Sequence, residues 1–237
     1  MKWFITEMLY PKQCVCCHEI IDEDEELCDN CIRNIERVDD NKRCIKCGLL
    51  KGNCGCKIYA YHFDGVVAPF FNDGLAKRGM YSFKFKKSEH AVEFFAREMA
   101  KTVRSQQLDG AFDAICYVPS TWFSYSKRGF NQSYLLAKRM SELLSIPLLK
   151  GALRCKGSIR FQHRLSREKR FALTRKKYYF SKTCVNQLRN KKILLVDDIK
   201  TTGATLDECS RQLLFGGAES VFCVTALVSD LKKDKKR

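Results

Sequence analysis

Nothing in the chain approaches the roughly 20 consecutive apolar residues that a bilayer-spanning helix needs. Its opening, MKWFITEMLY, has neither a long apolar stretch nor a small-residue cleavage site, so no secretory signal is read there. The expected location is the cytoplasm. Familiar phosphate loops are missing too: neither G-x-x-x-x-G-K-[ST] nor G-x-G-x-x-G occurs, which sets aside the nucleoside-triphosphate and dinucleotide readings. His62, His90 and His163 stand isolated and are expected to be surface or core residues, and His18 a solvated loop residue. Acidic side chains nearly vanish from residues 150–192, where 15 basic residues face Glu168 alone.

What is present is unevenly placed. The chain has 237 residues, enough for one substantial core plus a small appendage, with 45% hydrophobic residues and a net charge of +16. Residues 1–60 carry net −2, so the remainder carries net +18. A block as basic as 150–192 attracts polyanions: nucleic acid, pyrophosphate or an anionic membrane surface. Arg160, Arg164, Arg167, Lys169 and Arg170 are expected to contact nucleic-acid phosphates, with Phe161, Phe171, Tyr178 and Tyr179 as stacking surfaces. YSFKFKK at 81–87 repeats that mixture; its plain alternative is a strand with core phenylalanines and solvated lysines.

Nine of the 14 cysteines lie between Cys14 and Cys56. Without a secretion signal, such density points to metal rather than disulfides. CxxC pairs occur at Cys14/Cys17, Cys28/Cys31 and Cys44/Cys47, and a tighter pair at Cys54/Cys56. Two such turns complete a tetrahedral zinc shell. Sequential pairing predicts one site from Cys14, Cys17, Cys28 and Cys31 and a second from Cys44, Cys47, Cys54 and Cys56; cross-brace pairing stays open. Cys16 is a spare thiol or an alternative ligand. With no open coordination position in view, the zinc is expected to be structural, supplying most of the folding energy of a small module at 1–58.

From about Tyr59 the pattern changes to alternating helices and strands. HAVEFFAREMAKTV and NQSYLLAKRMSELL repeat at helical spacing, while AFDAICYVP, KILLVDD and SVFCVTALV are short apolar runs. That alternation predicts an α/β domain at 59–231, a parallel sheet with helices on both faces, followed by a basic tail at 232–237. Ligands of open parallel sheets bind at the carboxyl ends of the strands. Asp197 and Asp198 sit at such an end, where paired carboxylates can accept hydrogen bonds from sugar hydroxyls and neutralise a divalent cation. Thr201, Thr202, Gly203, Ala204 and Thr205 then form a turn leading into a helix amino terminus, a natural phosphate cradle. Together these suit a phosphorylated ribose.

LLVDDIKTTGAT closely resembles the phosphoribosyl-pyrophosphate signature of type I phosphoribosyltransferases. With the cysteine module and YVPSTWFSYSKRGFNQSYLLAKRM, it makes nearly the whole chain similar to the ComF family of competence proteins, ComFC type. The resemblance implies a type I phosphoribosyltransferase-like fold and a protein that handles incoming single-stranded DNA in natural transformation. It also implies a DNA-translocating helicase as partner and a place in the cytoplasm, at the inner face of the membrane. On the same ground Asp197 and Asp198 hold the ribose hydroxyls with magnesium nearby, and residues 201–205 surround the 5′-phosphate. Residues 119–129 form the pyrophosphate loop, with Lys127 and Arg128 as contacts. Arg128, Gly129, Phe130, Asn131 and Gln132 match the family motif RGFNQ, Asn131 also being a candidate helix cap. The family pattern is broken at Ile159 and Leu173, in the stretch that closes over the reacting centre of phosphoribosyltransferases. Two functions follow: DNA handling with a retained phosphoribosyl-pyrophosphate pocket, or active phosphoribosyl transfer to an acceptor the sequence does not name.

Overall fold

The computed structural model describes residues 11–54, 56, 59–85, 88–156, 167–175 and 177–229, with the backbone alone for 167–170. Five parallel strands form the central sheet: β1 (Gly65–Val67), β2 (Phe70–Phe71), β3 (Ala114–Tyr117), β6 (Lys192–Lys200) and β7 (Ser220–Val228). Their order is β1-β7-β6-β3, with β2 also paired to β7. Between β3 and β6 the chain adds a small antiparallel pair, β4 (Leu153–Cys155) with β5 (Tyr178–Phe180). The expected parallel α/β sheet is present.

The described helices are α1 (Asp29–Asn34), α2 (Gly74–Phe85), α3 (Glu89–Ser105), α4 (Trp122–Arg128), α5 (Gln132–Leu144), α6 (Arg167–Thr174), α7 (Val185–Leu188) and α8 (Ala204–Phe215). They cover both faces of the sheet, and this explains why β6 and β7 read as unbroken apolar runs rather than alternating ones. Leu194 and Val196 of β6 face a layer that includes Phe94, Phe95 and Met99 of α3 and Leu136 and Met140 of α5. Ile193 and Leu195 face the other layer, with Leu206, Cys209 and Leu213 of α8. Each large side chain buried this way contributes about 1.5–3 kcal/mol. Local signals agree with the packing: Ser88 accepts a hydrogen bond from the Ala91 N–H at 3.3 Å to open α3, and Ser145 adopts φ +56 to close α5.

The stretch YSFKFKK departs from the strand alternative. Its described part, through Phe85, is the end of α2 and not a strand. Phe83 is buried, Tyr81 and Phe85 are exposed and in ring contact at 4.7 Å, and Lys84 turns towards the end of β6. Period-2 alternation over so few residues is shared by strands and by helices with one narrow apolar stripe.

The cysteine module closes one edge of the sheet. The Val38 N–H donates to the Pro69 carbonyl at 2.9 Å and the Val66 N–H to the Ile45 carbonyl at 2.8 Å, while Arg37 bridges Phe70. Pairing of this kind satisfies backbone groups that an open edge would leave exposed. Ion pairs from Glu26 to Arg97 and from Arg37 to the buried Glu98 fasten the module to α3. No described helix is long and apolar enough to cross a membrane. The basic tail at 232–237 lies outside the described residues.

Candidate functional site: two zinc ribbons and a sheet-end crevice

The cysteines assemble sequentially. Sγ atoms of Cys14, Cys17, Cys28 and Cys31 lie within 4.8 Å of one another, and so do those of Cys44, Cys47, Cys54 and Cys56. Sulfur separations of 3.6 Å (Cys17–Cys28) and 3.8 Å (Cys44–Cys56 and Cys47–Cys54) fit a tetrahedron with zinc–sulfur bonds of about 2.3 Å, whose edge is about 3.8 Å. The donor set therefore fits zinc at both positions and leaves no ligand place open. Cys16 stands outside both clusters: it is buried against α2, where a Cβ built on Gly79 would lie 3.4 Å from its sulfur. His18 is an exposed loop residue at φ +67.

Asp197 and Asp198 lie near the end of β6, which continues through them to Lys200. Pairing with β7, including Asp197↔Thr225 and Lys200↔Val228, carries the strand past the carboxylates rather than ending it there. The two acids have different surroundings. Asp197 accepts hydrogen bonds from the Ser133 hydroxyl at 2.8 Å and from the Asp198 N–H at 2.9 Å. Burial, and then repulsion by Asp198, push its carboxyl up to about 8. Burial also works against ionisation of Asp198, but Lys84 Nζ at 2.8 Å outweighs it and, with the Ile199 N–H and Arg128, holds that carboxyl below the ordinary carboxylate range. Unlike environments thus keep one acid ionised and the other readily protonated.

Gly203 caps α8 at φ +86, a left-handed conformation that favours glycine. Gly203 itself has no side chain to offer, and the Thr202 hydroxyl accepts from the first helical N–H, that of Ala204, at 3.4 Å. Thr202, Gly203 and Ala204 are buried, Thr201 and Thr205 half-buried. Tyr61 closes the turn from one side: a Cβ built on Gly203 would come within 3.4 Å of its ring. Tyr61 and Tyr59 in turn meet Phe171 of α6, with ring centroids 6.3 and 6.1 Å apart.

The expected pyrophosphate loop is mostly helix. Thr121 caps α4 by accepting the Ser124 N–H at 3.1 Å, and Gly129 ends it at φ +76. Arg128 reaches the site, donating to Gln132 Oε1 at 2.8 Å, while Gln132 Nε2 donates to the Lys84 carbonyl at 3.4 Å. The RGFNQ segment therefore places two cations, Arg128 and Lys84, around Asp198. Lys127 is exposed, and among the described residues no hydrogen bond or ion pair joins it to either aspartate. Asn131 does cap α5, accepting the Tyr134 N–H at 3.4 Å, and also donates to the Val118 carbonyl at 3.1 Å.

Two residues that the sequence left unassigned belong here. Lys84 is one. The other is His62, which is not isolated: its Nδ1 lies 3.0 Å from Asp207 Oδ1, and its backbone N–H donates to the same oxygen at 2.8 Å. Both contacts join segments far apart in the chain, and no local motif announces them. His90 is exposed on α3, and His163 lies outside the described residues.

For the basic segment, Arg160, Arg164 and Phe161 lie outside the described residues, and Arg167, Lys169 and Arg170 fall on the backbone of α6. Tyr178 is buried and offers no stacking face, Phe171 is committed to Tyr59, and Tyr179 stays exposed. A further aromatic and basic surface lies between the first cysteine cluster and α2, a groove of about 600 Å³ lined by Lys77, Arg78, Tyr81 and Phe85.

A parallel sheet flanked by helices, with acids and a phosphate-type turn at its carboxyl edge, gives the chain a phosphoribosyltransferase-like α/β fold, preceded by an amino-terminal module with two four-cysteine clusters. Residues 5–58 match the double zinc ribbon domain. The chain is similar to competence proteins F and ComFC of several bacteria. It is 24% identical to competence protein ComFC of Bacillus subtilis over 89% of this chain and 87% of that protein. Against ComFC of Streptococcus pneumoniae the identity is 29%, over 84% and 86% of the two chains. Competence protein F of Haemophilus influenzae is 33% identical over 46% of this chain, and the chain spans about half (47%) of that relative. Among solved structures, a purine phosphoribosyltransferase from Pyrococcus horikoshii superposes with a TM-score of 0.32 at 18% identity, covering 56% of this chain and 70% of that one.

Proposed function

We propose that this protein handles single-stranded DNA in natural transformation and carries a working pocket for phosphoribosyl pyrophosphate. The observation that carries the pocket is the paired acids of β6 beside the glycine-capped amino terminus of α8. Asp197 is costly to ionise in its burial site, and a sugar diol or a divalent cation at the acids relieves that cost. The fit extends to magnesium: Asp197 and Asp198 are hard oxygen donors at one strand end, and the ion would neutralise the pyrophosphate charge. Residues 201–205 would take the 5′-phosphate on backbone N–H groups, and Arg128 the pyrophosphate. Isothermal calorimetry with phosphoribosyl pyrophosphate and magnesium tests this. The unmodified chain binds, and Asp197→Asn with Asp198→Asn abolishes the heat; equal affinity in the double variant refutes the pocket.

DNA contact draws support from the lopsided charge of 150–192 and from the groove at Lys77, Arg78, Tyr81 and Phe85, which combines cations with exposed rings. The same reading brings a DNA-translocating helicase as partner and a place at the cytoplasmic face of the membrane.

Turnover is a second reading, favoured by His62 alone. Asp207 holds Nδ1 in its hydrogen bond, so Nε2 is the nitrogen left to take a proton from an attacking acceptor as the ribose–pyrophosphate bond breaks. Pyrophosphate release across a panel of amines, bases and nucleosides decides it.

A further inference from the structure

Lys200 follows the two aspartates closely and is almost completely buried, 1% exposed, at the very end of β6. A buried lysine is uncommon because its ammonium loses water. Its surroundings are specific. The side chain runs between two left-handed glycines, Gly48 of the second ribbon at φ +66 and Gly203 of the phosphate-type turn at φ +86. A Cβ on Gly48 would lie 3.8 Å from Lys200 Cδ; a Cβ on Gly203 would lie 3.4 Å from Cε and 3.9 Å from Nζ. The end of the side chain therefore lies beside Gly203 of the turn.

The second ribbon packs against the lysine from the Gly48 side. Lys46, inside the Cys44–Cys47 knuckle, donates to the Phe63 carbonyl, and Phe63 stacks on Tyr61 at 4.7 Å. Arg43 donates to the Gly48 carbonyl, and a Cβ on Gly48 would meet Val66 Cγ1 at 2.9 Å. Gly48 of the second ribbon thus flanks the lysine stem, while Tyr61 flanks the turn at Gly203. The zinc-held loop and the turn meet at one cation.

We propose that Lys200 is an anion-holding residue of the crevice, fixed by the second zinc ribbon so that its charge lies under the 5′-phosphate position. This rests on the sugar-phosphate reading and deepens it. A helix amino terminus supplies only partial charge; a full positive charge at its base, screened from water, adds attraction that surface lysines cannot match. It also gives the second ribbon a task besides stability, which is to carry one wall of the ligand site.

The test is calorimetry with phosphoribosyl pyrophosphate and with ribose 5-phosphate, on the full chain loaded with zinc. Lys200→Met keeps the apolar stem and removes the charge. It is expected to weaken both ligands at least tenfold while zinc content stays unchanged; Lys42→Met, at an exposed lysine of the cysteine module, leaves both affinities as they were. Wild-type affinity in Lys200→Met overturns this inference and leaves the pocket standing, whereas no binding by the unmodified chain overturns both. Should Lys200→Met fail to fold, the Lys200 15Nζ resonance of the unmodified chain decides: it moves on adding ribose 5-phosphate, and an unmoved signal at saturation overturns the assignment.

Discussion

Lys84 Nζ rests 2.8 Å from Asp198 Oδ2, joining the last turn of α2 to the end of the central strand. Both side chains are largely shielded from water, so each depends on the other. Lys84→Met leaves Asp198 without its main counter-charge and should cost about 1–3 kcal/mol at pH 7, less than a fully buried pair because water still reaches both groups. The folded-state carboxyl of Asp198 is depressed, so its contribution is present above the unfolded value of about 3.9 and is lost as pH falls through the depressed one. Urea unfolding at pH 7 and pH 3 should therefore show a gap between wild type and variant that narrows in acid. A gap of constant size contradicts the ion-pair account.

Asp197 predicts the opposite slope. Its carboxyl is raised to about 8, so the folded chain holds a proton that the unfolded chain releases near 3.9. That stabilisation is complete below about 3.9 and falls away as pH rises towards about 8. Asp197→Asn removes the penalty, and thermal melts from pH 4 to pH 9 should show the variant gaining on wild type with rising pH. A gain of 1 kcal/mol is about 2–4 °C for a chain of this size. Parallel curves would place Asp197 in water.

The ribbons predict a metal count. Elemental analysis should find two zinc ions per chain, and Cys14→Ser or Cys44→Ser should each bring the count towards one. Sequential pairing makes these losses independent. Cross-brace pairing, by contrast, would put Cys14 and Cys44 on one ion, so the double variant would keep one zinc where sequential pairing leaves none.

Charge reversal at Arg160, Arg164, Arg167, Lys169 and Arg170 should weaken single-stranded DNA binding and flatten its dependence on salt. The log–log slope should fall by about 0.7 for each phosphate that the protein no longer neutralises. An unchanged slope removes that segment from the DNA surface and leaves the groove at Tyr81 and Phe85 as the alternative.

Much of the fold was legible because its signals are local. SVFCVTALV became β7 residue for residue, since a strand buried on both faces needs an unbroken apolar run. The eight ligand cysteines were readable because two-residue turns already bring paired thiolates to one metal. Elsewhere short windows failed. KILLVDD ran on to Lys200 because register with β7 continued, and YSFKFKK became helix because Phe83 found a buried site that no short pattern could announce. Lys84, His62 and Lys200 reach the crevice through contacts between distant segments, and a lysine in a sequence carries no mark of whether its ammonium will face water or a turn.

The most direct test of the central claim is a crystal soaked with phosphoribosyl pyrophosphate and magnesium. The account predicts ribose density against Asp197 and Asp198 with the 5′-phosphate seated on residues 201–205. An empty crevice at saturating ligand, or the sugar bound at another face while the turn stays bare, contradicts it.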